Sequence, residues 1–140
     1  MAGYNVENLM EVENQGENFG LNPDELQLRM AKDPLGCQNA GITYLRLGPG
    51  YRSPFGHRHK QQEEIYVLVN GSARMKLEDE IVELQPMTAV RVDPGTMRSY
   101  EGGPEGADFI VIGAPRTGRS GCIGLDLRQG ARCRVVHHRY

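Results

Sequence analysis

The stretch G-H-R-H-K-Q-Q-E-E-I-Y-V-L-V-N-G, residues 56–71, decides how this chain is read. Residues 64–69 are rich in Ile, Tyr and Val, the types that suit a pleated, half-buried surface, and predict a strand. Asn70-Gly71 comes directly after, the dipeptide favoured in two-residue hairpin turns, so residues 72–77 are expected to run back as the partner strand. Upstream, His57 and His59 stand two apart. Alternate side chains of an extended chain share a face, so both imidazoles are expected to point together and Arg58 away. A tight turn through Lys60, Gln61 and Gln62 would bring Glu63 or Glu64 opposite them. Neighbours on a strand cannot both face inward, and the pair alone does not say which one does. Two histidines and one carboxylate are the donor set of a facial triad, which leaves open positions for substrate, water or dioxygen on Fe(II). Mn, Ni or Zn would suit the same donors.

Strand signals continue on both sides. Residues 42–47 alternate Ile42, Tyr44 and Arg46 with Thr43, Leu45 and Leu47, and end at Gly48-Pro49-Gly50; Arg46 is expected to face solvent. Residues 81–84, 88–92 and 109–112 read as further short strands, separated by turns at residues 78–80 and at Asp93-Pro94-Gly95. Residues 22–32 carry a helix-start signal, Asn22 before Pro23, Asp24 and Glu25, but the alternation of Leu26, Leu28 and Met30 favours a strand. Eighteen glycines and eight prolines agree with an all-β chain in which helix is the minority.

The 140 residues have room for one compact domain and its extensions. A hydrophobic share of 39% and a formal charge of -2 give no field for capturing nucleic acid. No stretch reaches the apolar length of a membrane span, and the first twenty residues are too polar for a signal peptide, so the expected location is the cytoplasm. Cys37, Cys122 and Cys133 show no close pairing and are read as reduced thiols. Residues 1–22, with Glu7, Glu11, Glu13 and Glu17, form an acidic arm that cannot bury enough surface to order itself alone. Residues 23–114 hold the barrel signals, and residues 115–140 form a basic extension with six arginines against Asp126. No nucleic-acid motif accompanies that extension. His137 and His138 lie within it, without a matching carboxylate, and receive no role.

The central residues resemble the cupin superfamily. Its first motif, a glycine, HxH, a glutamate and a second glycine, is matched by His57, His59, Glu64 and Gly71, with Gly50 as the leading glycine one residue further out than usual. The resemblance favours Glu64 over Glu63 as the inward carboxylate. It extends to D-P-G-T-M-R, residues 93–98, which resembles the second motif, but Arg98 stands where the family supplies a third histidine. The likeness covers roughly residues 40–114. It implies an antiparallel double-stranded β-helix, or jelly roll, with the site in the barrel mouth, and a homodimer.

A guanidinium cannot ligate a metal and stays protonated. This leaves two readings. In one, His57, His59 and Glu64 hold a divalent metal (Fe, Mn, Ni or Zn) and Arg98 anchors an anionic group of a small substrate, in an enzyme of dioxygenase or isomerase type. In the other, a bidentate Arg98–Glu64 pair organises a metal-free pocket that binds a small ligand without chemistry. Tyr66 shares the inward face with Glu64, and Tyr100 shares a face with Arg98, so both are candidate ligand-binding residues. No nucleic-acid or membrane partner is expected. The fold hosts oxidation, isomerisation, decarboxylation and simple binding, so the sequence names no substrate.

Overall fold

The computed structural model describes residues 3–115. In chain order it comprises a 3-10 turn at Glu17–Phe19, β1 (Leu26–Met30), a one-turn helix α1 (Lys32–Leu35), β2 (Gly41–Leu47), β3 (Gln62–Leu77), β4 (Glu80–Leu84), β5 (Ala89–Val92) and β6 (Arg98–Pro115). Every strand pairing among the described residues is antiparallel. Residues 22–32 resolve in favour of the strand reading, as β1.

Two long strands organise the rest. β3 pairs with β6 from Gln62↔Pro115 to Leu77↔Arg98. Along the first half of β3, β5 flanks it through Glu64↔Val92, while β2 and then β1 extend the sheet beyond β6. Along its second half β4 takes over, through Ala73↔Leu84 to Leu77↔Glu80, and residues 52 and 57 bridge to β6 at Arg52↔Glu101 and His57↔Arg98. Each long strand thus serves two sheets that face one another. Tyr66 comes from one and Tyr100 from the other, their ring centroids 6.4 Å apart.

This arrangement corrects the hairpin expected at Asn70-Gly71. The chain does not turn there; it runs on through register shifts at Leu68/Asn70 and Gly71/Ala73, so residues 72–77 are the second half of β3. The left-handed backbone that glycine permits serves a bulge as readily as a turn, and Gly71 adopts φ 80. A Cβ on Gly71 would fall 2.1 Å from the Gly106 carbonyl oxygen, so the two bends cross where neither carries a side chain. The two-residue turn lies instead at Glu78-Asp79, with Glu78 at φ 53 and Leu77 paired to Glu80. The strand expected at residues 109–112 is likewise only the end of an 18-residue β6. Gly102, Gly103, Pro104 and Gly106 interrupt the alternation that would have announced its first half.

The acidic arm orders by leaning on the edge strand. Val12 is buried, Leu28 N–H donates to Asn14 Oδ1 at 2.9 Å, Gln15 N–H donates to Leu28 O at 2.8 Å, and the Arg29 guanidinium donates to Val12 O. These bonds occupy backbone groups that an edge strand otherwise exposes. No sequence signal announced α1; it is a single turn closed by Gly36 at φ 69.

Inward residues stack in layers across the sheet. Leu45, Phe109 and Leu68 form one layer and Thr43, Val111 and Tyr66 the next, while Gly41, Gly113, Glu64 and Val92 form the layer toward the mouth. Apolar bulk therefore fills the interior up to Tyr66, and polar groups begin above it. Cys37 is a free thiol. Cys122, Cys133, His137, His138 and the basic extension from residue 116 onward lie outside the described residues. No helix among the described residues is long and apolar enough to cross a membrane.

Candidate metal centre

Strand alternation settles the carboxylate pair. Gln62, Glu64, Tyr66 and Leu68 are buried on the inner face of β3, whereas Glu63 faces out and pairs with Arg91 at 3.0 Å. Glu64 is 0% exposed. His57 is fixed by a reciprocal backbone pair with Arg98, each N–H donating to the other's carbonyl at 2.9 Å. Beyond that single bridge the chain leaves strand geometry, so the two histidines do not share a regular strand. His59 is pinned instead by its carbonyl, which accepts from Gly95 N–H in the Asp93-Pro94-Gly95 turn. Both imidazoles are nevertheless buried, edge to face, with ring centroids 5.2 Å apart.

One ligand atom from each of His57, His59 and Glu64 lies within 4.8 Å of the others. His59 Nε2 is 3.2 Å from Glu64 Oε1, and His57 Nε2 is 4.0 Å from Glu64 Oε2. His57 Nε2, His59 Nε2 and Glu64 Oε1 are all buried without a hydrogen-bond partner. Three unsatisfied atoms gathered this closely are the pattern a cation completes, since a buried polar atom is otherwise paired. The residues present therefore fit a divalent metal.

The other carboxylate oxygen is already occupied. Tyr66 O–H donates to Glu64 Oε2 at 2.7 Å, and Arg98 Nη2 approaches the same oxygen at 3.4 Å. The expected bidentate Arg98–Glu64 pair is not formed, because Nη1 is turned to donate to the Thr96 carbonyl at 3.0 Å. Arg98 is 0% exposed, and its Nε and Nη2 lack hydrogen-bond partners.

Charge states reflect these neighbours. Burial pushes His57 down to about 3 against the pull of Glu64, so its imidazole is neutral at ordinary pH and offers a lone pair. Burial alone would raise Glu64, but the close approach of the His59 imidazole, with smaller contributions from His57 and the Arg98 guanidinium, outweighs it and holds the carboxyl down at about 2. Burial, followed by the Glu64 charge, raises Tyr66 well above the ordinary phenol value, so it remains a donor.

Tyr100 is buried opposite Tyr66, their ring planes inclined at 48°. Arg46 sits at the surface, 3.7 Å from Asp108. Gln62, which carries no motif of its own in the sequence, is buried with Nε2 unpartnered. Its signal is the period of two counted back from Glu64.

No family model matches the chain, and no curated protein matches it. Solved structures do. A cupin protein from Bacteroides fragilis superposes with a TM-score of 0.68 at 23% identity, covering 86% of this chain and 92% of that one. The fold is that of a cupin. A variant of Streptomyces Pac13 with uridine superposes on this chain with a TM-score of 0.66 at 16% identity, over 98% of this chain and 93% of that one. Pac13 is described as a nucleoside dehydratase. KdgF from Halomonas sp. gives a TM-score of 0.58 at 19% identity, over 69% and 84% of the two chains.

Proposed function

We propose that this cupin holds a divalent metal through His57 Nε2, His59 Nε2 and Glu64 Oε1, and acts on a small anionic molecule anchored beside it by Arg98. The observation that carries this reading is the convergence of three unpartnered, buried ligand atoms within 4.8 Å. When bound, the metal supplies Lewis-acid or redox chemistry to a coordinated substrate. Arg98 contributes charge and direction: with Nε and Nη2 free of hydrogen-bond partners, its guanidinium can grip a carboxylate or phosphate oxygen. Tyr66 holds Glu64 Oε2, which fixes the carboxylate's rotation and leaves Oε1 toward the imidazoles. The deep layers of Leu68, Phe109 and Met75 close the barrel below and keep water out of that end.

The test is metal content by plasma mass spectrometry of purified protein, before and after incubation with Fe(II), Mn(II), Ni(II) and Zn(II). Near-stoichiometric metal is expected, and His59→Ala should lose it while the barrel stays folded. Arg98→His should raise affinity by about tenfold or more, because it offers a further imidazole where the backbone is already locked to His57. Metal absent under every condition, or retained by His59→Ala, would refute the assignment.

A metal-free reading has its own support. Glu64 Oε2 is already engaged by Tyr66 and Arg98. In Pac13, the two tyrosines whose phenylalanine variants were solved with uridine are separated by the same number of residues as Tyr66 and Tyr100. Under this reading the tyrosines and Arg98 bind, or act by proton transfer on, a sugar-like or nucleoside-like ligand. Uridine binding that persists in metal-free protein and falls in Tyr100→Phe would favour it.

A further inference from the structure

The mouth of the barrel has a second polar end. Across the layer that contains Glu64, the neighbouring inward positions on β6 and β2 are Gly113 and Gly41, paired through Glu64↔Gly113 and Gly41↔Gly113. Neither carries a side chain, so only backbone stands between Glu64 and β1 in this layer. The layer beneath is closed by Val111 and by Thr43, whose Oγ1 is buried without a hydrogen-bond partner.

Lys32 follows β1, whose last pair with β2 is Met30↔Thr43, so the same register sets it beside Gly41 in this layer. β1 ends beside Ile42, where Ala31 N–H donates to Ile42 O at 2.9 Å, and α1 begins there and packs on β2. Lys32 is 9% exposed, and its Nζ is buried with no hydrogen-bond partner. No carboxylate among the described residues forms an ion pair with it. An ammonium is costly to bury alone, and a protein keeps one where an anion arrives to pair with it. Gln62 adds an unpartnered Nε2 on the β3 side of the same mouth.

We propose that Lys32 is a second anion anchor, so that the substrate is a small dianion lying across Gly113 and Gly41. One of its groups meets Arg98 beside the triad. The other, a carboxylate or a phosphate, meets Lys32. Three strand spacings separate the β3 and β1 backbones, about 14 Å, and the inward reach of the Lys32 side chain shortens the gap between the charges to about 10 Å. This rests on the reading of the triad and Arg98 as the reactive end of the site.

The experiment is calorimetric titration of the full-length, metal-incubated protein with linear α,ω-dicarboxylates from malonate to azelate, and with 6-phosphonohexanoate. Affinity should climb with chain length to an optimum near suberate, whose carboxylates are separated by a comparable distance. Lys32→Met should weaken suberate about tenfold or more, the loss of one charge-assisted contact, and Lys32→Arg should retain most of the affinity. Tighter binding of the phosphono acid than of suberate would assign the distal group as a phosphate, and weaker binding as a carboxylate. A flat length series, or suberate affinity unchanged in Lys32→Met, would overturn the proposal. The wild-type length series decides the matter even if Lys32→Met does not fold. Metal content measured on the same samples separates the two readings: a Lys32 effect without metal refutes only the metal centre, and metal without a Lys32 effect refutes only the second anchor.

Discussion

Glu63 and Glu64 are adjacent and chemically identical, yet one pairs with Arg91 at the surface and the other sits among two imidazoles, a phenol and a guanidinium. The difference is one step of strand alternation, which sends neighbouring side chains to opposite faces. Arg98 is decided in the same way: its position at the start of β6 places it inside, where the Thr96 carbonyl and Glu64 share it. A third acid behaves differently. At Glu101, burial is the largest single influence and raises the carboxyl, but hydrogen bonds from Arg74 and Arg52, reinforced by their charges, together hold it below the ordinary carboxylate value. A depressed folded value means stability present above the unfolded pKa and lost as pH falls through the folded one. Glu101→Gln is therefore expected to lower stability most at neutral pH, and its difference from wild type should shrink as pH drops below about 4. Urea midpoints measured from pH 7 down to pH 3 check this, and a difference that stays constant across that range would contradict it.

At the scale of elements, β3 shows what periodicity can and cannot tell. The alternation over residues 64–69 was legible because Ile, Tyr and Val leave little choice of backbone. The reversal expected at Asn70-Gly71 fails because that dipeptide signals a left-handed backbone without saying what the backbone is for. A hairpin turn and a bulge both need it; partner strands decide between them, and here β6 pairs on both sides of the bend. Gly71 combines φ 80 with a carbonyl 2.1 Å from where a Cβ would stand. Gly71→Ala should accordingly cost about 2–4 kcal/mol, from backbone strain plus displacement of the β6 bend. Gly20→Ala, at φ 74 but with nothing within 4 Å of its Cβ, should cost about 1 kcal/mol. Chemical denaturation of both variants measures the gap, and equal losses would show that the crossing of β3 and β6 contributes nothing.

For the whole molecule, the site joins distant parts of the chain: His57 from a bridge on one sheet, Glu64 from the other, and His59 held by the turn before β6. A ligand that binds only when these parts are assembled stabilises the assembly. At a hundredfold excess over its dissociation constant, a bound metal should add about 2.7 kcal/mol, which raises Tm by about 9 °C for a domain of this size. Thermal melts with and without the ion that binds stoichiometrically test it; His59→Ala should abolish the shift, and an equal shift in that variant would place the ion elsewhere.

Sequence alone determined the all-β class, the inward run through Glu64 and Tyr66, and the donor types His57, His59 and Glu64. Those come from local backbone preference, from the chemistry of individual side chains and, for Glu64 over Glu63, from the likeness to the cupin motif. Only the tertiary structure decided that β3 and β6 each run through both sheets, that Arg98 leaves half its guanidinium without a hydrogen-bond partner, and that glycines face one another beside Glu64 with Lys32 buried beyond them. Those facts belong to pairs of strands far apart in the chain, and cross-strand register is set by packing of the whole barrel, not by any one segment.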